Sequence, residues 1–226
     1  YHLLFYRCRN LRVRDLFLFD SAYHSVRVIE SHFVWCDGLH IYNRVNGNND
    51  GFHFISSQYV HVSNCDVQSQ DDACALFGSC KFVTVTNSTF STRWAVFRFG
   101  GGSPENVVIS NCVIYDTYGA AIKIQEVEGG VMENISFTNL VMNHVTGPIS
   151  LRLGGYLGWR QERKESLPIG VLRNIRFSDQ YAQAVEQKQI AEQQALQAKL
   201  VVEQKKNEAE QARQVAQGQA DAAVIA

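Results

Sequence analysis

The chain has 226 residues, with 21 Lys and Arg against 22 Asp and Glu, and its formal net charge is −1. This near-neutral balance argues against a nucleic-acid-binding groove, and the absence of any run of about 20 apolar residues argues against a membrane-spanning helix. The six cysteines form no C-x-x-C pair, which argues against a zinc site and predicts buried thiols. The opening residues "YHLLFYRCRN" contain neither an initiator Met nor a signal-peptide pattern, so we expect an N-terminally truncated fragment.

The composition of the chain changes near Gln180. Residues 1–179 contain every Trp and Phe together with many β-branched residues, which predicts strands and turns. Residues 180–226 are dominated by Ala, Gln, Glu and Lys, which predicts one long C-terminal α-helix. We therefore expect a mainly β body over residues 1–179, followed by a coiled-coil-like helix over residues 180–226.

A five-residue pattern recurs along the body: apolar, any, apolar, any, then Asn or Asp. Its segments start at Leu11, Leu39, Val60, Val83, Val107, Ile135 and Ile175. The starts lie 21 to 28 residues apart, and 40 apart before the last. Such periods are too long for successive hairpins and are typical of stacked coils that bury one shared core. The pattern predicts a right-handed parallel β-helix whose alternate apolar residues face inward.

The fifth position of every repeat is Asn or Asp. These residues are Asp15, Asn43, Asn64, Asn87, Asn111, Asn139 and Asp179. Amides at the same bend of stacked coils can hydrogen-bond to the coils above and below. We therefore expect a buried ladder of polar side chains along one corner of the β-helix.

The repeat register also locates three acidic residues. Asp50 lies 11 residues after Leu39, and Asp71 and Asp72 lie 11 and 12 residues after Val60. Since stacked coils are about 4.8 Å apart, we expect Asp50 beside the Asp71–Asp72 pair on one face.

Two basic residues follow on that face. Arg98 and Lys123 lie at nearby offsets in the next two coils. Stacked carboxylates repel each other, which raises the pKa of at least one of them. Glycoside hydrolysis requires such an acid beside an ionised base. From register alone, catalysis, a solvated turn and a cation site are all consistent with the acids.

Three motifs on these coils resemble those of glycoside hydrolase family 28, the polygalacturonase-like pectin hydrolases. "NNDG" at residues 48–51, "QDDACAL" at 70–76 and "AIKIQ" at 121–125 are similar to the family's N-T-D, D-D and R-I-K motifs. The resemblance covers roughly residues 3–179. It implies a pectin lyase-like β-helix that hydrolyses galacturonosyl bonds of pectic, uronate-containing polysaccharides with inversion, and that uses no metal or other cofactor.

The resemblance also implies roles for individual residues. Asp71 would be the general acid, and Asp50 and Asp72 would position and deprotonate the attacking water. Lys123 would bind a carboxylate of the substrate. The expected substrate-binding residues are Lys123, Arg98 and Asn48.

Two departures from the family pattern affect this expectation. The G-H-G motif is missing from "STRWAVFRFGGG" at residues 91–102, where Ala95 or a neighbour replaces it, and Ala121 replaces the Arg of R-I-K. Arg98 or Arg93 could supply one positive charge. His53 and His144 are predicted to be structural. The departures make an inactive carbohydrate-binding β-helix the main alternative, and clustered acids also allow a calcium-dependent lyase.

The tail repeats apolar residues every 11 positions, at Ile190, Val201, Ala212 and Ala223. This period favours a straight or slightly right-handed helical assembly. Residues 177–226 resemble the C-terminal helical region of the prohibitin and stomatin-like family, which forms membrane-associated rings. The resemblance implies a fusion or chimera near residue 179 and helix-mediated self-association. The body suggests a secreted or periplasmic location in a cell-wall context, and the tail suggests membrane association.

Overall fold

The computed structural model describes residues 1–127, 129–154, 169–178 and 205–206. Tyr1–Ser178 form one compact unit. The predicted helix over residues 180–226 lies outside the described residues except at positions 205 and 206. The family resemblance of the tail and its self-association depend on this helix and stay predictions. Within the described ranges, no helix is both long and apolar enough to cross a membrane.

The described body is built from β-strands. They are β1 (Leu3–Tyr6), β2 (Arg9–Arg14), β3 (Phe17–Phe19), β4 (Val26–Ile29), β5 (His32–Asp37), β6 (His40–Asn43), β7 (Phe52–Ile55), β8 (Gln58–Ser63), β9 (Asp66–Ser69), β10 (Cys74–Phe77), β11 (Lys81–Thr86), β12 (Thr89–Thr92), β13 (Ala95–Gly100), β14 (Glu105–Glu126), β15 (Val131–Leu153) and β16 (Val171–Phe177).

Each strand pairs in parallel with its counterpart one coil away, which produces three faces. Face A contains β1, β4, β7, β10 and β13, face B contains β2, β5, β8 and β11, and face C contains β3, β6, β9 and β12. Strand β14 runs through all three faces, since it pairs with β11, β12 and β13 in turn. The prediction of a mainly β, parallel solenoid is confirmed, and its right-handed sense stays a prediction.

Inward-facing residues stack from coil to coil to form one continuous core. One such row on face A runs through Val26, Phe52, Cys74, Phe97 and Ile122, all buried. A single coil could not shield these side chains from water, so the apolar burial that stabilises the fold depends on neighbouring coils. Cysteines share in this packing: five of the six are buried, and all six are free thiols.

The repeated Asn and Asp positions mostly lie at the corner between faces B and C, which is exposed, and one bond of the predicted ladder joins two corner residues in the part of the chain that the structure describes. The residues of this asparagine corner are Asp15, Gly38, Asn64, Asn87, Asn111 and Asn139, all with φ between +49° and +64°. Asn139 Nδ2 donates a hydrogen bond of 2.7 Å to Asn111 Oδ1. Asn and Asp recur because they tolerate the left-handed backbone that the corner requires. The expected burial was therefore wrong, as the exposure of Asn87 illustrates.

The second repeat does not start where the pattern suggested. Leu11 pairs with Val34, and Val34 pairs with Val60, so the repeat begins at Val34 and not at Leu39. Its corner residue is Gly38, with φ +64°. Glycine adopts this conformation without steric cost, so a search for Asn or Asp overlooked it. Asn43, which the pattern selected instead, is buried at the end of β6.

A second row of left-handed residues follows face B. This bulge row contains Asn10, Phe33, Tyr59, Phe82, Asn106, Asn134 and Asn174. Asn134 donates to Asn106 over 3.0 Å, and Asn174 donates to Asn134 over 2.7 Å. The three aromatic rings stack face to face in the middle of the row, with centroids 4.8 and 4.9 Å apart. The row therefore uses amide bonding in some coils and ring stacking in others.

Candidate functional site

The acids lie where each coil passes from face C to face A. Ser25 N donates to Asp50 O over 2.9 Å, and Gly51 N donates to Asp72 O over 3.0 Å. His24, Asp50 and Asp72 therefore occupy equivalent positions in three successive coils. Asp50, Asp71 and Asp72 form what we name the acid corner. The register prediction that placed Asp50 beside the Asp71–Asp72 pair matches this arrangement.

Two buried asparagines fix the loop that carries Asp50. Asn43 Oδ1 accepts a bond of 2.8 Å from Ser21 N, and Asn43 Nδ2 donates to Asp50 O over 2.9 Å. Asn49 Nδ2 donates to the carbonyls of Ser21 and Tyr23 over 2.9 and 2.6 Å. The loop is thus tied to the preceding coil, which holds the Asp50 backbone in place.

Asn48, which the sequence nominated for substrate binding, is exposed on this loop. The buried neighbour Asn49 makes the anchoring bonds instead, and the motif gave no sign of this division. The glycine of the same motif has a steric role. A Cβ atom on Gly51 would lie 2.5 Å from both Ala73 O and Val67 Cγ1, so the chain after Asp50 can approach the next coil only as glycine.

Burial dominates the electrostatics of the acid corner. Asp50 and Asp72 are only 3% and 6% exposed, and Asp71 is half-buried. Burial raises the pKa of Asp50 to about 8, and the Asp71 charge adds to the effect. Burial also raises the pKa of Asp71, and raises that of Asp72 well above the ordinary range, with repulsion from Asp50 and Asp71 as further causes. The corner therefore retains protons that ordinary carboxyl groups would lose.

The two adjacent acids have different surroundings. Asp71 Oδ1 accepts a bond of 2.9 Å from Asp72 N, and Asp71 O accepts bonds from the hydroxyls of Ser69 and Thr92. Asp72 Oδ2 lies 3.9 Å from Arg98 Nε. Asp72 Oδ1 is buried and has no hydrogen-bond partner among the described residues. An unsatisfied buried oxygen is costly, and it offers an acceptor to a water molecule or a substrate hydroxyl.

A row of basic side chains runs beside the acid corner on face A. The outward-facing residues Arg27, His53, Ala75, Arg98 and Lys123 pair in register across five coils. Each comes three residues after the acid-corner position of its own coil. We name Arg27, His53, Arg98 and Lys123 the basic row. The structure thus brings the predicted residues Arg98 and Lys123 to the same place as the acids.

Aromatic rings support the two predicted cations. The Arg98 guanidinium lies 5.5 Å from the Phe77 ring centroid, and Lys123 Nζ lies 4.6 Å from that of Trp94. Burial lowers the pKa of Arg98, although Asp72 and Asp71 oppose this. Burial also lowers the pKa of Lys123, and repulsion from Arg98 adds to the effect. Both groups are therefore partly desolvated cations, ready to bind an anion.

The carboxylates end at Asp72. Ala95 and Ala120 hold the equivalent positions in the next two coils, and both are buried. Beside them lie Trp94, 49% exposed, and Tyr118, 71% exposed. The two coils that follow the acids therefore present exposed aromatic rings beside this corner. Arg93, the alternative cation, lies over the ring of Tyr118 at 5.9 Å and not at the acid corner.

His53 belongs to the site, although the sequence suggested a structural role. Its Nδ1 lies 2.6 Å from Asp50 Oδ2. Its ring stacks on His24 and on Phe77, with centroids 4.2 and 5.1 Å apart. The useful signal was spacing, because His53 follows Asp50 by three residues, as Arg98 follows Ala95. His144 lies elsewhere, exposed and 3.2 Å from Asp116 Oδ1.

Three of these side chains are close enough to be considered as a metal site. One ligand atom each from His24, Asp50 and His53 lies within 4.8 Å of the others. The two imidazole rings are stacked, with an interplanar angle of 18°. A nitrogen lone pair lies in its ring plane, and nearly parallel planes at this separation share no nearby point. The arrangement therefore does not direct the two nitrogens at one tetrahedral ion.

The fold has clear relatives among solved structures. An exopolygalacturonase from Thermotoga maritima matches 76% of this chain and 41% of its own with a TM-score of 0.63 and 21% identity. An endo-xylogalacturonan hydrolase from Aspergillus tubingensis matches 77% of this chain and 52% of its own with a TM-score of 0.61 and 19% identity. These likenesses place the chain in the class of parallel β-solenoids.

Sequence similarity identifies the family. The model of glycosyl hydrolases family 28 matches residues 2–192, and the chain belongs to this family. A polygalacturonase from Persea americana is 29% identical over 155 residues, which are 65% of this chain and 34% of the relative. One from Gossypium barbadense is 27% identical over 179 residues, 75% of this chain and 44% of the relative. The chain thus spans between a third and a half of the length of these relatives.

Proposed function

We propose that the protein is a glycosidase that hydrolyses galacturonosyl bonds of pectic polysaccharides by an inverting, two-carboxylate mechanism. The observation that carries the proposal is the acid corner: three carboxyl groups in adjacent coils, two of them buried, beside a row of basic residues. Family membership and the polygalacturonase relatives support the same chemistry. The relatives are longer than this chain, so the activity of the whole protein is part of the proposal.

Asp71 is the proposed general acid. It is the most accessible of the three acids, and burial raises the pKa of its carboxyl group, which favours the protonated form. A protonated carboxyl can donate its proton to the glycosidic oxygen as the bond to the anomeric carbon breaks. The hydroxyls of Ser69 and Thr92 hold the Asp71 backbone, which fixes where the side chain begins.

Asp50 and Asp72 are the proposed groups that hold the attacking water and remove its proton. They are adjacent in space, so ionising both carboxyl groups at once costs free energy because the two charges repel each other. Burial and repulsion from Asp50 raise the pKa of Asp72, which favours the ionised form at Asp50, and Arg98, 3.9 Å from Asp72, offsets this only in part. The unpartnered Asp72 Oδ1 is the acceptor that a bound water would satisfy.

Lys123 and Arg98 are the proposed binding groups for the carboxylate of a uronate unit. Both are partly buried cations on the outward side of face A, next to the acids. A neutral sugar has no group to compensate these charges, so the row favours an acidic polymer. The exposed ring of Trp94, against Lys123, offers an apolar surface for the sugar face. Asn48, at the exposed edge of the loop, is proposed as a peripheral contact.

The test is the release of reducing ends from polygalacturonan, xylogalacturonan and a neutral glucan by the intact chain and by Asp71→Asn. We expect hydrolysis of an acidic polymer and a loss of about 100-fold or more in the variant. Asp66→Asn is the matched control, because Asp66 lies on β9, the face-C strand just before Asp71, but bonds to Thr89. Binding without turnover, or equal rates for Asp71→Asn and the intact chain, would contradict the proposal.

Location and assembly extend this proposal. Because a pectic polymer lies outside the cell, we propose that the body acts after export into a cell-wall context. The predicted tail over residues 180–226 is proposed as a self-associating helix, joined to the body near residue 179. Light scattering of the intact chain over a range of concentrations would test self-association, and a constant monomer mass would contradict it.

A further inference from the structure

We propose that His53 is the positioning residue of Asp50, so that the proposed base is an Asp50–His53 pair and not a lone carboxylate. The inference rests on the proposed hydrolysis for its catalytic meaning. The contact itself is a feature of the fold and can be measured without turnover.

The geometry holds the imidazole in one orientation. His53 Nδ1 lies 2.6 Å from Asp50 Oδ2, a length typical of a strong hydrogen bond to a carboxyl group. The ring is stacked between His24 on one side and Phe77 on the other, at interplanar angles of 18° and 12°. The two stacks fix the plane of the ring, and within that plane the bond to Asp50 favours the orientation that directs Nδ1 at the carboxyl group.

Asp50 has few other bonding partners for its charge. His24 Nε2 is 3.6 Å from Asp50 Oδ1, which is too long for a good hydrogen bond. Asp71, in the next coil, repels an ionised Asp50, whereas Arg27, in the preceding coil, favours it. His53 is therefore the only described side chain within hydrogen-bonding distance of the Asp50 carboxyl group.

Charged and titratable groups face the pair from several coils. They are His24 and Arg27 from the preceding coil, Asp71 and Asp72 from the following coil, and Arg98 one coil further on. Burial lowers the pKa of His53 to about 4, with repulsion from Arg27 as a further cause, so the imidazole is neutral near pH 7. A neutral imidazole with its proton on Nδ1 donates to Oδ2 and stabilises the ionised carboxylate.

The proton balance of the step follows from this arrangement. The attacking water loses a proton to Asp50 as its oxygen bonds to the anomeric carbon. The bond from that carbon to the leaving oxygen breaks, and the leaving oxygen takes the proton of Asp71. Asp50 Oδ1 then holds the added proton, while Oδ2 keeps its hydrogen bond from His53 Nδ1–H. The added proton later leaves to solvent while Asp71 regains one. His53 thus changes the basicity and orientation of Asp50 and does not touch the sugar.

The kinetic test compares His53→Phe, His53→Gln and His61→Phe in the intact chain. Phenylalanine keeps the ring stack but removes the donor, and glutamine retains an N–H that can reach a carboxylate. His61 is the matched control, a half-buried outward histidine on β8 bonded to Thr84. For His53→Phe we expect kcat to fall about 10-fold or more with KM nearly unchanged.

The pH profile distinguishes this role from a structural one. Loss of the donor raises the pKa of Asp50 further, so the acidic limb of kcat should move to higher pH in His53→Phe. His53→Gln should recover part of both changes, and His61→Phe should match the intact chain. A profile for His53→Phe that matches that of His61→Phe would overturn the proposal.

An NMR measurement tests the bond without turnover. In the ¹⁵N-labelled intact chain we expect a His53 Nδ1–H signal shifted downfield, absent from His53→Phe and moved upfield in Asp50→Asn. A His53 ring protonated only on Nε2, with no response to Asp50→Asn, would overturn the pair. Failure of the intact chain to hydrolyse any acidic polymer would overturn the proposed function alone, because this signal reports the bond independently.

Discussion

The asparagine corner and the acid corner are built by the same stacking of coils, yet the stacking affects the free energy of folding in opposite directions at the two corners. At the asparagine corner four of the six residues are exposed asparagines, and each amide carries both a donor and an acceptor. At the acid corner the repeated groups are carboxyls, which can only accept when ionised, and two of them are buried. Repetition stabilises the first corner and costs free energy at the second.

The surroundings of the acid corner show how the cost is limited. The run of carboxyl groups stops after two coils, because Ala95 and Ala120 follow Asp72. Arg98 and Lys123 lie one step away on face A, close enough to offset part of the repulsion. One buried carboxylate oxygen of Asp72 still lacks a partner among the described residues. A purely structural corner would gain stability by losing these acids, so the difference points to function.

Of the three effects that test this comparison, the largest concerns the basic row. Lys123→Met removes the charge but keeps the aliphatic stem over Trp94, and we expect kcat/KM on an acidic polymer to fall about 10- to 100-fold. Steady-state kinetics on polygalacturonan would measure it. Lys81→Met is the control, since Lys81 lies on face B and pairs with Glu105 at 2.8 Å. Equal losses in both variants would mean that Lys123 binds no substrate carboxylate.

The second effect concerns the stability cost of the acids. Burial and repulsion raise the pKa of Asp72, so the folded protein binds this proton more tightly than the unfolded chain. The associated stability is present at low pH and is lost as pH rises through the folded pKa. We therefore expect Asp72→Asn to increase the free energy of unfolding by about 1 kcal/mol or more near pH 8, and by much less near pH 4.

Denaturant unfolding of both proteins across this pH range would measure the difference. Asp66→Asn serves as the comparison, because Asp66 is a half-buried carboxyl group outside the acid corner that bonds to Thr89. A stabilisation by Asp72→Asn that is equally large at both ends of the range would mean that packing, and not charge, limits the corner.

The smallest effect concerns the asparagine corner. Asn111→Ala loses the bond from Asn139 and places a Cβ-bearing residue without a polar side chain at φ +54°. We expect a loss of about 1–2 kcal/mol in the free energy of unfolding, independent of pH. Asn111→Gly should lose less, because only the bond is removed. A pH-dependent loss would contradict the view that this corner is neutral and structural.

Much of the solenoid could be predicted because its stacking repeats the same physical demand in every coil. Alternating apolar residues marked face B, and the left-handed corner selected Asn in several coils. The pattern failed in the second coil, because Gly38 adopts the same left-handed backbone conformation but has no side chain that a search for Asn or Asp could find. The exposure of the corner was also missed, since a polar ladder can form at the surface as well as in the interior.

The neighbours of Asp50 at the acid corner were predicted correctly although the start of the second repeat was wrong. Counting from Leu39 gave the right neighbours for Asp50 only because the loop before β7 is longer than the one before β10. Asn43, Asn49 and His53 could not be identified in advance, since their roles depend on where that loop folds back. A sequence reports the spacing of residues along the chain, whereas these contacts depend on the path of an irregular segment.

The bulge row also limits which substitutions its residues accept. Phe33, Tyr59 and Phe82 occupy positions where other coils have asparagine, and each ring gains from the ring above or below it. A single aromatic ring between two amides would have no ring to stack on, and the two amides would each lose a hydrogen-bond partner. A substitution in one coil changes the stacking or bonding partner of the adjacent coil. We therefore expect the residues of this row to covary between adjacent coils more strongly than between distant ones.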